Sequence, residues 1–73
     1  MIKSYCNYGI YNEKTSQCLE EGDDVDQLTY WDDGRRVVLE NVHISEITSD
    51  DITCELEDFK EITISIETIE DWA

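Results

Sequence analysis

The sequence predicts a mainly β fold, a small and strongly curved antiparallel sheet or barrel of five or six short strands that ends in a short helical turn. The best evidence is residues 62–66, where three isoleucines alternate with Thr63 and Ser65. Residues 52–57 and 42–45 alternate in the same way between apolar and polar side chains. This period of two is typical of half-buried strands, so the C-terminal half is predicted to form a three-stranded meander.

The N-terminal third carries weaker strand signals separated by polar segments. Residues 1–11 are rich in aromatic and β-branched side chains. One strand face is predicted to combine their even positions, Ile2, Cys6, Tyr8 and Ile10. Residues 12–17 are predicted to form a turn or loop. Cys18 and Leu19 begin either a short strand or a single helical turn, and the acid-rich residues 20–26 are expected to form a solvated loop.

A hairpin is predicted at the centre of the chain. Residues 28–31 read as a short strand, and Asp-Asp-Gly at positions 32–34 favours a tight turn because glycine tolerates a positive φ. The return strand begins at Arg35. Its inward positions shift from Leu39 to Val42, so we expect a bulge or a bend between them.

Two loops and a change of period complete the predicted fold. Loops at 48–51 and 58–60 separate the strands of the meander. After Ile66 the spacing changes, since Ile66, Ile69 and Trp72 fit one or two turns of a helix. Together these elements suggest an SH3-like or OB-like barrel in a single domain covering residues 1–73, an architecture that hosts many unrelated functions.

Charge is the strongest functional signal in the chain. Nineteen acidic and five basic residues among 73 give a net charge of −14, and the apolar fraction of 40% is compatible with a folded core. Direct binding to nucleic acid or to an anionic membrane needs clustered lysine and arginine, so neither is expected. The partner that this charge predicts is a basic protein of the kind that binds nucleic acid. The only basic pair, Arg35-Arg36, is expected to balance nearby acids.

An acidic surface on the meander is the candidate binding site, since Glu55, Glu57 and Glu61 are predicted on the outward face of adjacent strands. Same-face carboxylates recur about every 6.7 Å along a strand, and the phosphates of one DNA strand recur about every 3.4 Å. A row of strand carboxylates is therefore able to stand in for alternate phosphates. Phe59, predicted at a hairpin tip between charged residues, is a candidate aromatic anchor. The residues predicted to bind the partner are Asp50, Asp51, Glu55, Glu57, Asp58, Phe59 and Glu61.

In size and charge the chain resembles small acidic phage-encoded inhibitors of host defence nucleases, anti-CRISPR proteins among them. This resemblance lies in composition, and it implies a viral inhibitor that occupies a basic groove as a nucleic-acid mimic. One alternative is an acidic surface that only serves solubility. Another is a structural or assembly subunit that forms a homodimer or larger homo-oligomer through apolar surface. An enzyme is not expected, because the sequence has no Gly-rich phosphate loop, G-x-S-x-G elbow or H-E-x-x-H helix.

The sequence does not predict a metal or cofactor site. The three cysteines lack the Cys-x₂₋₄-Cys spacing of structural zinc sites, Cys54 is predicted to face the core, and His43 is predicted to face solvent. A Cys6–Cys18 disulfide is left open. The aspartates at 23–26 and 32–33 do not match a calcium-binding loop. Without the features of a secretory signal or a membrane span, the expected compartment is the cytoplasm, where thiols stay reduced.

Overall fold

The computed structural model describes the backbone of residues 2–6 and 9–73 and the side chains of residues 9–73. Within this part of the chain the mainly β prediction is confirmed, with eight strands in place of five or six. The strands are β1 (Ile2–Cys6), β2 (Gly9–Asn12), β3 (Gln17–Glu20), β4 (Asp24–Asp32), β5 (Arg35–Ile47), β6 (Asp51–Glu55), β7 (Glu61–Ser65) and β8 (Ile69–Trp72). A 3₁₀ turn, Ile66–Thr68, separates β7 from β8.

The strands form two antiparallel sheets. The smaller sheet has the order β1-β2-β3, and the larger sheet has the order β7-β6-β5-β4-β8. The predicted C-terminal meander is confirmed as β5, β6 and β7, which pair in sequence. β7 and β8 are the two outer strands of the larger sheet, and the strong curvature and barrel closure stay predictions.

Both sheets contribute side chains to one apolar core. Ile10 and Leu19 come from the smaller sheet, and each is 1% exposed. Complete burial of such a side chain stabilises the fold by about 1.5–3 kcal/mol. The backbones of β2 and β3 also approach closely, since a Cβ on Gly9 would lie 1.9 Å from the carbonyl oxygen of Leu19. The larger sheet supplies Val25, Leu28, Tyr30, Val42, Ile44, Ile52, Cys54, Ile64, Ile69 and Trp72.

The last strand, β8, has inward residues spaced by three positions. Ile69 and Trp72 are both buried, because Glu70 is an extra residue between the pairs that Ile69 and Asp71 make with β4. A β-bulge of this kind shifts the strand alternation by one residue. The predicted terminal helix is therefore wrong beyond its first turn, since a single 3₁₀ turn forms and a strand follows it.

A second bulge occurs at the start of β4. The backbone N–H groups of Asp26 and Gln27 both donate to the carbonyl oxygen of Ala73, at 2.8 and 3.4 Å. Asp26 and Gln27 of β4 thus lie opposite the single residue Ala73. Because of this extra residue, Val25 and Leu28 on either side of the bulge both face the core. The predicted solvated loop over residues 20–26 is wrong for its last residues, because β4 begins at Asp24 and Val25 is buried.

The bend expected in β5 lies at Asn41. This residue has a φ of 53°, a left-handed conformation that asparagine tolerates better than most residues. The pairing of β4 with β5 keeps one register across the bend. Leu39 and Val42 consequently both pack toward the core, as the sequence pattern required.

Two predicted turns are confirmed. Asp33 and Gly34 both have positive φ, 50° and 80°, and they connect the directly paired residues Asp32 and Arg35. This is the backbone conformation that suits the right-handed twist of a two-residue hairpin. Residues 13–16 form the other turn, between β2 and β3.

The N-terminal predictions are tested only in part. Cys18 and Leu19 lie in β3, so the strand alternative is the correct one. The face predicted to unite Ile2, Cys6 and Tyr8 with Ile10 lies outside the described side chains. Residues 2–6 form β1 and residues 9–12 form β2, and these two strands pair with each other rather than forming one continuous strand.

Candidate partner-binding surface

Four titratable side chains form a row across the outer face of the larger sheet, which we call the acidic row. Asp24 pairs with His43 between β4 and β5, and His43 pairs with Glu55 between β5 and β6. Glu55 pairs in turn with Glu61 of β7. Directly paired residues of antiparallel strands share one face, and neighbouring strands are about 4.8 Å apart. The row therefore extends over about 14 Å, three strand spacings.

Within this row, Glu55 and Glu61 are opposed like charges. Neither carboxylate has a hydrogen bond or ion pair among the described residues, whereas Asp24 Oδ1 lies 2.7 Å from His43 Nδ1. Like charges directly opposite each other destabilise an antiparallel pair, on a scale of about 0.2–1 kcal/mol. The sequence prediction of outward acids on adjacent strands is confirmed for these two residues.

The hairpin tip, residues 56–60, joins β6 to β7. Its turn is closed by backbone hydrogen bonds from Leu56 to Lys60 and from Phe59 to Leu56, each 2.9 Å long. Phe59 has a φ of 63°, and its side chain is 84% exposed. The predicted position of Phe59 at an exposed hairpin tip is thereby confirmed.

The two acids of the hairpin tip are held by neighbouring groups. Asn41 Nδ2 donates to Glu57 Oε1 at 2.5 Å, which fastens the tip to the bend of β5. Asp58 lies 3.7 Å from the Lys60 ammonium and accepts the backbone N–H of Lys60. Glu57 was predicted on the outward strand face, and this is wrong because β6 ends at Glu55 and the chain turns there.

Asp50 and Asp51 lie at the opposite end of β6. Asp51 is four residues from Glu55 along the strand, which corresponds to about 13 Å. Thr53 lies between them and faces Thr63 of β7, with the two hydroxyl oxygens 3.4 Å apart. The structure thus pairs Glu55 with Glu61 and places Asp58 in the turn that connects their strands, but Asp50 and Asp51 lie apart from this pair, with hydroxyl groups in the intervening positions.

Sequence reasoning missed a second cluster, which we call the tryptophan corner: Trp31, Arg36 and Glu70. Trp31 Nε1 donates to Glu70 Oε1 at 3.0 Å, and Arg36 donates through two nitrogens to Glu70 Oε2 at 3.2 and 3.0 Å. Hydrogen bonds from Arg36 and then Trp31 lower the pKa of Glu70 from its ordinary value. The expectation that the Arg35-Arg36 pair balances acids is confirmed for Arg36.

Two residues of the tryptophan corner, Trp31 and Glu70, line an open cleft of about 540 Å³ together with Glu67, Thr68 and Ile69. Trp31 is 44% exposed. The register Trp31↔Arg36 places these two side chains on one face. Their partner Glu70 was not predicted because it lies in β8, where a bulge gives the apolar residues the spacing of a helix.

The cysteines and the histidine lie in different environments. Cys54 is a free thiol with no exposed surface, and burial raises its pKa to about 11. His43 is exposed on the opposite face of the sheet, as predicted. Cys18 is disulfide-bonded, and the side chain of Cys6 lies outside the described part of the chain. Among residues 9–73, no group of three or more histidine, cysteine, aspartate or glutamate side chains is arranged to hold a metal ion.

Comparison with known protein families, with curated proteins and with solved structures gives no match. Among the described residues, no helix has the length and apolar character needed to cross a membrane.

Proposed function

We propose that this chain is a non-enzymatic binding protein that engages a basic, nucleic-acid-handling protein through its acidic row and hairpin tip. In this proposal the carboxylates occupy the positions that nucleic-acid phosphates take in the partner's groove, so the chain acts as an inhibitor of the kind found among viral anti-defence proteins. The residues proposed to make the contact are Glu55, Glu57, Asp58, Phe59 and Glu61, with Asp50 and Asp51 at the far end of β6.

The opposed pair Glu55 and Glu61 is the observation that carries the proposal. Two directly facing carboxylates cost folding stability, and among residues 9–73 no cation offsets that cost. A lysine or arginine from a partner would remove the repulsion and form charge-assisted hydrogen bonds with both carboxylates. The arrangement is therefore favourable in a complex with a basic surface and unfavourable without one.

The hairpin tip adds an apolar contact beside the charges. Phe59 is the most exposed large apolar side chain among the described residues. Aromatic residues that become buried at the centre of an interface dominate binding energies, while charges around them set partner choice and association rate. The acidic row places three carboxylates within about 14 Å, a length that spans about four phosphate intervals of one DNA strand.

The proposal is tested by salt-gradient chromatography of a host lysate over the immobilised chain, followed by mass spectrometry. The variant Glu55→Gln with Glu61→Gln removes two charges, and Asp32→Asn with Asp33→Asn is the matched control at the β4–β5 turn. We expect one nucleic-acid-handling protein to bind the wild type and the control, to leave the first variant at lower salt, and to be displaced by duplex DNA. Equal elution from both variants, or binding that DNA does not displace, would contradict the proposal.

The compartment is part of the proposal. A nucleic-acid-handling partner and the composition of the chain favour the cytoplasm, whereas the disulfide at Cys18 favours an oxidising environment. Acid quenching of intact cells, followed by alkylation of the thiols in denaturant at neutral pH, separates the two. Alkylation of Cys18 before any reduction supports the cytoplasm, and alkylation only after reduction supports an oxidising compartment.

A further inference from the structure

One half of β5 has a free edge. Residues 35–43 of β5 pair with β4, but β6 begins to pair with β5 only at His43. On the side away from β4, residues 35–41 have no backbone hydrogen bond to another segment of the described chain. Such an edge presents unpaired N–H and C=O groups to any strand of suitable length.

The side chains along this edge have a self-complementary order. Arg36, Val38 and Glu40 are exposed on the outer face, and Val38 is 44% exposed. Val37 and Leu39 alternate with them and are half-buried against the core. A cation and an anion thus lie at equal distances on either side of a central valine, on the same face of the strand.

We propose that the free edge of β5 binds the same edge of a second copy of this chain, antiparallel and with a two-fold axis at Val38. This register places Arg36 opposite Glu40 of the second copy, and Glu40 opposite its Arg36. On the inner face, Val37 and Leu39 become cross-strand neighbours. An isologous contact requires a self-complementary surface of this kind, and opposite-charge and apolar pairs are the ones that stabilise antiparallel strands.

Neighbouring registers lack this complementarity. A two-fold axis at Val37 places Arg36 opposite Val38, and an axis at Leu39 places Glu40 opposite Val38. Both leave a charged group facing an apolar side chain. The Arg36 guanidinium has five N–H donors and remains half-exposed beside Glu70, so it is able to bond a second carboxylate.

The same register brings the other arginine to an acidic neighbour. Arg35 lies opposite Asn41 of the second copy, whose side chain holds Glu57 of the hairpin tip. The dimer would therefore place the only basic pair of each chain against acids of the other. One added strand pair is a small interface, and the net charge of −14 on each copy opposes association, so we expect the dimer at high protein concentration.

Charge exchange tests the register in sedimentation equilibrium, with circular dichroism to verify folding. Arg36→Glu and Glu40→Arg should each weaken association on the order of tenfold, because each creates two like-charge pairs per dimer. Glu40→Arg reduces the net charge from −14 to −12, so general repulsion alone would strengthen association. The double variant, Arg36→Glu with Glu40→Arg, should recover the association constant to within about threefold.

Two results would overturn this inference: a monomer at all concentrations up to about 1 mM, or a dimer that Glu40→Arg strengthens and the double exchange does not restore. Val38→Cys supplies an independent measurement if Arg36→Glu fails to fold. Oxidation should cross-link this variant into a dimer, and Glu46→Cys on the same strand should not cross-link. The inference does not depend on the proposed function, because Glu55→Gln with Glu61→Gln lies outside the free edge and, with its net charge reduced from −14 to −12, should not weaken association.

Discussion

The acidic row and the tryptophan corner lie on one sheet, but their carboxylates have opposite electrostatic surroundings. At the tryptophan corner the Glu70 carboxylate receives hydrogen bonds from both Trp31 and Arg36. In the acidic row Glu55 faces Glu61 directly, and neither has a hydrogen-bond partner among the described residues. The same residue type therefore stabilises the fold at one end of the sheet and opposes it at the other.

This difference separates a structural charge from a candidate functional one. A carboxylate that accepts hydrogen bonds from two donors stabilises the fold, and this contribution is sufficient to account for the residue. An opposed pair gains nothing from folding, so it is better explained by an interaction outside the chain. Net charge alone does not make this distinction, because each carboxylate contributes −1 to the total of −14 whatever its surroundings.

The core variants with the largest expected effect test whether the tryptophan corner and the acidic row share one cooperative core. Leu28, 0% exposed, lies in β4 near the tryptophan corner, and Ile64, 2% exposed, lies in β7 near the acidic row. Leu28→Ala and Ile64→Ala should each lower the free energy of unfolding by about 2–5 kcal/mol, which includes the cost of a cavity. A domain of this size has roughly 4–11 kcal/mol in total. Urea unfolding followed by fluorescence and circular dichroism measures both changes.

The control for these core variants is Val38→Ala, because the Val38 side chain is 44% exposed. At low protein concentration this variant should change the free energy of unfolding by no more than about 0.5 kcal/mol. If one variant gives two separate transitions while the other gives a single one, the two ends do not share a cooperative core.

A smaller effect of opposite sign is expected in the acidic row. Glu61→Lys replaces a repulsive cross-strand pair with an attractive one, so the free energy of unfolding should rise by about 1 kcal/mol. Glu46→Lys makes the same change in net charge opposite Thr53, which is uncharged, and should alter stability by less than about 0.5 kcal/mol. Thermal and urea unfolding at low salt measure the difference. Equal stabilisation by both variants would mean that only total charge matters.

Much of the larger sheet was predictable because its strands alternate regularly. Residues 52–54 and 62–64 place apolar side chains inward at every second position, and the paired residues Ile52 and Ile64 are both buried. The turn at Asp33 and Gly34 was equally clear, since both residues adopt positive φ. In these segments the local pattern and the tertiary structure agree, and the sequence is sufficient.

The segments that were predicted wrongly, β8 and the start of β4, each contain a bulge. Ile69 and Trp72, like Val25 and Leu28, are three positions apart because two residues between them oppose one on the neighbouring strand. A spacing of three is also the signature of a helix, and a single segment does not reveal which cause applies. Only pairing with a neighbouring strand distinguishes a bulged strand from a helix. That pairing joins segments distant in sequence, so the sequence of one segment does not reveal it.

The candidate site was predictable in part for a related reason. The outward positions of Glu55 and Glu61 and the exposed tip at Phe59 follow from alternation and from turn position. That Glu70 is neutralised by Arg36, 34 residues away, follows from the pairing of β4 with both β5 and β8. Composition gives the number of acids, but only the fold shows which of them lack a partner.

The smallest effect is a difference in pH dependence at the tryptophan corner. The pKa of Glu70 is lowered below its ordinary value of 4.5, chiefly by the hydrogen bond from Arg36. A lowered pKa stabilises the folded state above pH 4.5, and this contribution disappears as the pH falls through the folded-state pKa. Glu70→Gln should therefore lose stability less steeply than the wild type between pH 4.5 and pH 2 in urea unfolding. Glu67→Gln, which removes a charge from the same cleft but neither hydrogen bond, is the control. If it flattens the curve as much as Glu70→Gln does, the hydrogen bonds at Glu70 are not what distinguishes this corner from the acidic row.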